Sequence, residues 1–211
     1  MIKAFNFEND VNEFSANTYI IGKKDENCLI VDLGTTSDVI INYVKKNFKS
    51  VSGILLTHAH LDHIRGVNNF LKAFPKTPVY ISKLDAPLLN EQNKFYDLFQ
   101  EKVPLQNYPL NFVNDGDVLN FKNYIVKVIA TPFHTKGSVC YLFSEDNALF
   151  TGDTLFKGSI GRTDLYYSEP NKIYESLAKL SKLPSQLVCY PGHGLITTLK
   201  EEKESNPYLR D

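Results

Sequence analysis

The sequence predicts an α/β fold in which two β-sheets have helices on their outer sides. Short β-branched and apolar runs alternate with helical patterns along the chain. In each half an apolar strand ends at Asp-Leu-Gly or Gly-Asp-Thr, and a helix and a second apolar strand that runs into a histidine follow. A length of 211 residues, 43% of them hydrophobic, suffices for a sizeable core, and no Gly/Ser-rich linker interrupts it. We therefore predict a single domain over residues 1–211.

The first third of the chain predicts two strands, a helix and a third strand. Residues 17–21 and 28–31 are β-branched or apolar runs typical of strands. Ser37 is placed to cap a helix that extends to about Phe48. The run at 51–57 is typical of a strand buried on both faces. The apolar face of the helix is expected to contain Val39, Ile40, Tyr43 and Val44.

The rest of the chain repeats the pattern more loosely. Residues 83–100 show helical spacing, and the turn at 114–117 predicts hairpin-like strands around it, including 124–130. Pro170 is expected to open a helix that reaches about Leu183. The other expected elements are helices at 67–74 and 199–204 and strands at 79–81, 139–143, 148–151 and 186–190.

Charge and composition exclude several classes of protein. The 23 Lys and Arg nearly balance the 24 Asp and Glu, for a net charge of −1, which argues against binding nucleic acid or a membrane surface by bulk electrostatics. No run approaches the roughly 20 apolar residues of a membrane helix, and the N-terminal residues do not resemble a secretory signal. The three cysteines lie far apart and predict no disulfide framework. A cytoplasmic location is expected.

A group of metal-binding side chains directly follows the strand predicted at 51–57. His58, His60, Asp62 and His63 stand within six residues of one another. Where a strand passes into a loop, such side chains fan out, so they are able to supply ligands to two metal ions. Without a metal, three imidazoles and a carboxylate would repel on protonation or be poorly solvated. A structural zinc site is disfavoured because the cysteines lack ligand spacing.

The other two histidines and one aspartate occupy the same kind of position. His134, Asp153 and His193 each follow an apolar strand. A single histidine at a strand end is more often a capping or hydrogen-bonding residue, and this alternative applies to His134 and His193 taken one at a time. Because all five histidines of the chain stand at strand ends, the set as a whole favours a metal centre.

These residues carry a family resemblance. The motif Thr-His-Ala-His-Leu-Asp-His at 57–63, followed in order by His134, Asp153 and His193, resembles the metallo-β-lactamase superfamily. Gly-Asp-Thr-Leu-Phe at 152–156 and Gly-Ser-Ile-Gly-Arg-Thr-Asp at 158–164 are similar to glyoxalase II-like hydrolases, especially their short single-domain form. The resemblance implies an αββα sandwich of two mixed sheets flanked by helices, with the metals at one edge. It also implies no separate C-terminal helical domain after His193.

The resemblance also implies the ligand set. One metal would be held by His58, His60 and His134, and the other by Asp62, His63 and His193. Asp153 would bridge the two ions. Zinc is the first expectation, with iron or manganese as alternatives. Thr57 and Asp32 match positions that orient ligand imidazoles in the family.

Four positions near the ligands bear on access and substrate. Arg65, Phe133 and Lys136 replace residues that are usually Gly, Gly and Pro in the family, which affects access or metal preference rather than the fold. Arg162 matches a basic residue that contacts glutathione in the long glyoxalase II enzymes and is the predicted substrate-binding residue. The alternative for Arg162 is an internal ion pair with Asp164.

The predicted chemistry is hydrolysis of a small-molecule thioester. Two divalent ions sharing an oxygen ligand lower the pKa of water enough to give hydroxide at neutral pH, and Asp62 is expected to orient this nucleophile. If all five histidines are ligands, none is left to protonate a leaving group. A thiolate leaves without such help, because the pKa of a thiol is about 8.5.

The same residues bear on other activities of the superfamily. A persulfide dioxygenase of the superfamily, which uses one iron held by two histidines and an aspartate, is the main alternative. An RNA phosphodiesterase is disfavoured because no histidine is left over, and a β-lactamase because Asp153 stands where many of those enzymes have cysteine. A metal-binding module without activity is disfavoured by the number of ligands.

Overall fold

The structure is a computed structural model that describes residues 1–6, 15–89 and 110–209. The chain divides into two compact units. The first comprises Met1–Ile81 and Ala86–Phe112, and the second Ser82–Asp85 and Val113–Asp211. Each contains one large mixed sheet, so the prediction of two mixed sheets with helices is confirmed. The single domain over residues 1–211 stays a prediction.

The first sheet has six strands in the order β1-β2-β3-β4-β5-β6. β1 is antiparallel to β2 and β2 to β3, whereas β3 is parallel to β4 and β4 to β5. Strands 2 to 4 are largely buried, as expected of apolar strands inside a mixed sheet. The strands are β1 (Ile2–Phe5), β2 (Thr18–Gly22), β3 (Asn27–Val31), β4 (Ser50–Leu55), β5 (Val79–Ser82) and β6 (Leu110–Val113).

Among the described residues, the α-helices of this unit are α1 (Asp38–Asn47), α2 (Leu61–Ile64) and α3 (Val67–Ala73). The predicted cap is confirmed, because the Ser37 side chain accepts a hydrogen bond from the Val39 amide at 3.3 Å. The predicted apolar face is partly wrong. Ile40, Ile41 and Val44 are buried, whereas Val39 is 41% exposed, because the buried stripe begins one residue later in the helix.

The second sheet has the order β14-β13-β10-β9-β8-β7. Its pairs are antiparallel except β10 and β13, which are parallel. A separate hairpin pairs β11 with β12. The strands are β7 (Val118–Phe121), β8 (Tyr124–Ala130), β9 (Val139–Phe143), β10 (Ala148–Gly152), β11 (Leu155–Phe156), β12 (Ser159–Ile160), β13 (Val188–Pro191) and β14 (Thr197–Thr198).

The helices of this unit are α4 (Ile173–Ser181) and α5 (Leu199–Ser205). A buried apolar cluster forms the core between them and the sheet strands. It is lined by Ile129, Cys140, Leu142, Leu149, Leu155, Leu180, Leu187, Cys189 and Leu199. The helix predicted from Pro170 begins as a 3₁₀ turn at Pro170–Lys172, and its α-helical part ends at Ser181.

The pattern that repeats in the two halves of the sequence is also found in the strand pairing. In the first unit an antiparallel pair, β2 and β3, is followed by the parallel pair β3 and β4. In the second unit β9 and β10 are antiparallel, and β10 and β13 are parallel. Asp32 follows β3 as Asp153 follows β10, and a histidine-bearing loop follows β4 as it follows β13.

Two predictions along the middle of the chain need correction. The turn at 114–117 does not join a hairpin, because β6 belongs to the first sheet and β7 to the second. The hairpin is formed by β7 and β8, with Phe121 paired to Tyr124. In the range predicted as a helix over 83–100, a turn and a 3₁₀ helix at Ala86–Leu89 are observed, and residues 90–100 lie outside the described residues.

Within residues 1–6, 15–89 and 110–209, no helix has the length and apolar character needed to cross a membrane.

Candidate functional site

The predicted ligands after β4 lie together in the first unit. We call His58, His60, Asp62 and His63 the first ligand group. His58 Nε2 lies 3.1 Å from His60 Nδ1, and the His58 and His63 ring centroids are 4.0 Å apart. The three imidazoles are 5% exposed or less. Asp62 and His63 lie in the short helix α2, and His63 Nε2 is 3.8 Å from an Asp62 carboxylate oxygen.

A buried aspartate fixes the orientation of this group. Asp32 lies at the end of β3 with φ of 54°, a left-handed conformation that aspartate tolerates better than most residues. Its carboxylate accepts hydrogen bonds from the Thr57 amide and the Thr57 hydroxyl, each at 2.8 Å. The Nδ1 of His63 lies 2.8 Å from the same carboxylate. Because a carboxylate only accepts, His63 carries its proton on Nδ1, and the Nε2 lone pair is left for a ligand.

The second ligand group consists of His134, Asp153 and His193. Asp153 Oδ2 lies 3.3 Å from His134 Nε2 and 3.8 Å from His193 Nε2, so the two imidazoles face one carboxylate. His134 and Asp153 are buried, and the side chain of His193 is 21% exposed. The Asp153 carboxylate therefore lies between two histidines within the second unit.

The loop that carries His134 is held by hydrogen bonds and close packing that involve backbone carbonyl groups. His134 Nδ1 donates to the Arg162 carbonyl at 2.8 Å, which leaves Nε2 as the acceptor facing Asp153. The Ser168 hydroxyl donates to the His134 carbonyl at 2.8 Å. Gly161 stands where a Cβ would overlap the carbonyl oxygen of Asp153. Position 161 thus excludes larger residues, because its backbone packs directly against the backbone of Asp153, a predicted ligand.

Within both groups, pairs of donor atoms lie at distances close to those found between the ligands of a divalent metal. Metal bonds of about 2.0–2.2 Å in a tetrahedral site place neighbouring donor atoms about 3.3–3.6 Å apart. The donor pairs within the groups are separated by 3.1 to 3.8 Å. Buried imidazoles whose second nitrogen is already hydrogen-bonded are suited to bind an ion through the first. The residues present therefore fit divalent metal ions.

The predicted substrate contact, Arg162, forms an ion pair. Its Nε and one Nη donate to the two Asp164 oxygens at 2.9 Å each, and both side chains are 68% exposed. The hydrogen bond from Arg162 lowers the pKa of Asp164, and the same contact raises the pKa of Arg162. The internal ion pair with Asp164, the alternative expected from the sequence, is thus present, and substrate binding by Arg162 stays a prediction.

The three unusual positions beside the ligands differ in exposure. Phe133 is fully buried beside His134. Arg65 is half-buried and ends helix α2. Lys136 is exposed, and its Nζ lies 5.3 Å from the centroid of the Tyr167 ring, a cation–π contact. Of the three residues that differ from the family pattern, Phe133 is therefore the one whose large side chain is fully buried.

The cysteines do not belong to either ligand group. Cys28, Cys140 and Cys189 are all buried. Burial raises the pKa of Cys189 to about 12, and that of Cys140 to about 11. At neutral pH these thiols stay protonated and behave as apolar core residues.

Sequence reasoning missed one buried carboxylate next to the second ligand group. Asp85 is fully buried and accepts hydrogen bonds from the loop that follows His134. The available signal was a single acidic residue within the otherwise apolar run Leu84–Leu89. A lone charge in such a run is rarely buried unless it has partners.

A protein-family comparison decides the family. Residues 11–193 match the model of the metallo-β-lactamase superfamily. The chain belongs to this superfamily. The metallo-β-lactamase fold expected from the resemblance is therefore confirmed, and so is the glyoxalase II-like character of its relatives.

The curated superfamily relatives include named hydrolases. A probable metallo-hydrolase of Streptococcus pyogenes serotype M6 is 33% identical over 202 residues, covering 92% of this chain and 85% of that protein. The hydroxyacylglutathione hydrolase of Francisella philomiragia is 35% identical over 169 residues, or 80% of this chain, which spans 60% of that protein's length. The hydroxyacylglutathione hydrolase GloC of Haemophilus influenzae is 31% identical and covers 94% and 95% of the two chains.

Solved structures of the superfamily superpose over nearly the whole chain. The B3 metallo-β-lactamase BLEG-1 gives a TM-score of 0.90 at 29% identity, with both chains fully covered. The di-iron-bound form of TTHA1623 gives 0.80 at 31% identity, covering 92% of this chain and 95% of that one. Membership of a metallo-hydrolase superfamily and the His/Asp donor chemistry together imply divalent metal binding.

Proposed function

We propose that the protein is a metal-dependent hydrolase of small-molecule thioesters. The observation that carries the proposal is the spacing of the donor atoms: in each ligand group, imidazole nitrogens and carboxylate oxygens lie 3.1 to 3.8 Å from one another, close to the separation of two ligands of one metal ion. His58, His60 and His134 would hold one divalent ion, and Asp62, His63 and His193 the other. Asp153 would bridge the two. Zinc is the proposed metal.

The proposed roles of the side chains follow from their hydrogen bonds and exposure. When bound, two divalent ions act as Lewis acids and lower the pKa of water toward 7. Asp62 is the proposed catalytic carboxylate: its side chain is 14% exposed, so it is able to accept a hydrogen bond from a solvent molecule beside the site. Asp32 keeps His63 in the tautomer that a metal needs.

The substrate class follows from the acid–base groups that remain. With five histidines as ligands, no imidazole is left to protonate a leaving group. A thiolate leaves without protonation, whereas an amine does not. Relatives named hydroxyacylglutathione hydrolases support an acylated small thiol as the substrate.

The test combines metal content with a substrate panel. Protein purified without added metal or chelator is expected to contain close to two divalent ions per chain and to hydrolyse S-lactoylglutathione or a simpler acyl thioester. His58→Ala is expected to bind metal more weakly and to lose activity. Loss of a residue that only hydrogen-bonds to a ligand lowers metal affinity or activity by roughly 10- to 100-fold, and loss of the ligand itself is expected to cost more. Tyr174→Ala, at an 85% exposed position, is the control.

Other outcomes would contradict the proposal. A single iron per chain together with oxygen consumption on a persulfide would point instead to a persulfide dioxygenase. Hydrolysis of a β-lactam such as nitrocefin without turnover of any thioester would exclude the proposed substrate class. Unchanged metal content in His58→Ala would refute the ligand assignment.

A further inference from the structure

Asp85 lies fifty residues before the loop that presents His134, and it binds that loop. Its Oδ2 accepts a hydrogen bond from the Thr135 hydroxyl at 2.8 Å, and its Oδ1 accepts one from the Gly137 amide at 2.7 Å. Asp85 and Thr135 are both fully buried. Burying a carboxylate is costly unless it accepts hydrogen bonds. The two hydrogen bonds donated by the loop therefore stabilise the buried Asp85 carboxylate, and they also hold the loop against it.

The loop itself has little freedom to move. The Thr135 amide donates to the Ser138 hydroxyl at 3.1 Å, and the two hydroxyls lie 2.9 Å apart. A Cβ at Gly137 would overlap the Asp85 side chain and backbone, so glycine is needed for this approach. Asp85 thus fixes the residue directly after His134 and the turn that follows it.

We infer that Asp85, acting through the Thr135 hydroxyl, is a positioning residue for the metal ligand His134. The inference rests on the proposed function to the extent that His134 is taken as a ligand. His134 is held at three points: Nδ1 by the Arg162 carbonyl, its own carbonyl by Ser168, and its C-terminal neighbour by Asp85. The first two contacts hold the ring and the backbone of His134, and the third holds the residue that follows it in the loop.

The experiment separates positioning from packing by two substitutions at one site. Thr135→Ser keeps the hydroxyl that Asp85 accepts and loses a methyl group. Thr135→Val keeps the volume and loses the hydroxyl. If the hydrogen bond positions His134, zinc affinity follows the hydroxyl: Thr135→Val raises the zinc dissociation constant by about tenfold or more, and Thr135→Ser leaves it near that of the wild type.

Zinc affinity is measured by competition with a chromophoric chelator on the full-length protein, without any assay of activity. The absorption spectrum of the Co²⁺-substituted protein supplies a second readout, because it reports ligand geometry directly. Asp85→Ala is expected to reproduce the effect of Thr135→Val. Asp115→Asn is the control, since Asp115 binds the Ala130 amide at 2.7 Å and Lys179 in the same unit.

The outcomes are distinct from those of the functional proposal. If Thr135→Val and Thr135→Ser weaken zinc binding equally, or if Thr135→Val binds zinc and gives a Co²⁺ spectrum as the wild type does, Asp85 has only a packing role and the inference is wrong. Those results leave the hydrolase proposal intact. A wild-type protein that binds no zinc would overturn both. Should Asp85→Ala fail to fold, the Thr135 pair still decides.

Discussion

At the scale of single residues, the tautomer of one imidazole depends on one carboxylate. Asp32 accepts three hydrogen bonds, two from Thr57 and one from His63. Each of its oxygens faces at least one donor, and the oxygen facing His63 accepts a hydrogen bond from the Nδ1–H group. The His63 nitrogen that faces Asp62 is thereby kept as a lone-pair donor.

Asp32→Asn is expected to weaken metal binding by about 10- to 100-fold. In either orientation the amide NH₂ of asparagine would face a donor: the Thr57 amide on one side, or His63 Nδ1 on the other. If the NH₂ faces His63, the clash of two donors is removed only when the His63 proton moves to Nε2. A protonated Nε2 has no lone pair for a metal.

Chelator competition with zinc measures this loss. Asp25→Asn is the matched control, because Asp25 also has a left-handed φ, of 63°, but is exposed. A normal zinc affinity in Asp32→Asn would show that the carboxylate does not select the His63 tautomer.

Much of the residue-level site was predictable because histidines at strand ends are visible in the sequence. Each predicted ligand directly follows an apolar strand in the sequence, so the apolar pattern alone predicts that the ligand stands at a strand end. The Asp85 contact was not predictable, because it joins residues fifty positions apart and depends on tertiary structure. The Arg162–Asp164 pair is predictable as an alternative because its members are only two residues apart in the sequence.

At the scale of secondary-structure elements, the last helix holds the hairpin that follows Asp153. Glu202 in α5 is buried and accepts hydrogen bonds from the Gly158 amide at 2.8 Å and the Thr197 hydroxyl at 2.6 Å. Asn206 at the end of the helix donates to the Ser159 carbonyl at 3.0 Å. The position of β11 and β12 therefore depends on α5.

Thr198→Ala is expected to lower the free energy of unfolding by about 1 kcal/mol. Thr198 caps α5 in a reciprocal capping box: its hydroxyl accepts from the Glu201 amide, and the Glu201 carboxylate accepts from the Thr198 amide, both at 3.2 Å. Urea denaturation at constant m-value measures the change. Thr198→Ser retains the hydroxyl and is expected to lose much less, so equal losses in the two variants would argue against the cap.

Elements were predictable where local signals decide them. The α1 cap and the strand at Val139–Phe143 appear where the sequence places them. The assignment of β6 and β7 to different sheets was not predictable, because a turn signal such as Asn-Asp-Gly-Asp reports a change of direction and not the partner strand. The buried face of α1 was misplaced by one position because Val39 and Ile41 are similarly apolar.

At the scale of the whole molecule, metal binding and folding are expected to be linked. A ligand that binds the folded chain alone stabilises it by about 2.7 kcal/mol at a concentration 100 times its dissociation constant. We expect the unfolding temperature to fall when a chelator removes metal and to rise with added zinc in a concentration-dependent way.

Thermal unfolding followed by circular dichroism measures this shift. In His58→Ala the dependence on zinc is expected to shrink, whereas Asp25→Asn is expected to keep it. An unfolding temperature of the wild type that is indifferent to both chelator and zinc would contradict a metal centre in the folded protein.

In the segment 161–164, the backbone and the side chains make different contacts. The backbone packs on Asp153 and accepts from His134, whereas the side chains of Arg162 and Asp164 extend into solvent. Mutations at these two exposed positions therefore act on the surface without disturbing the support of His134. In evolutionary terms, positions 162 and 164 are able to vary while the backbone contacts to Asp153 and His134 stay unchanged, whereas glycine at 161 has to be retained.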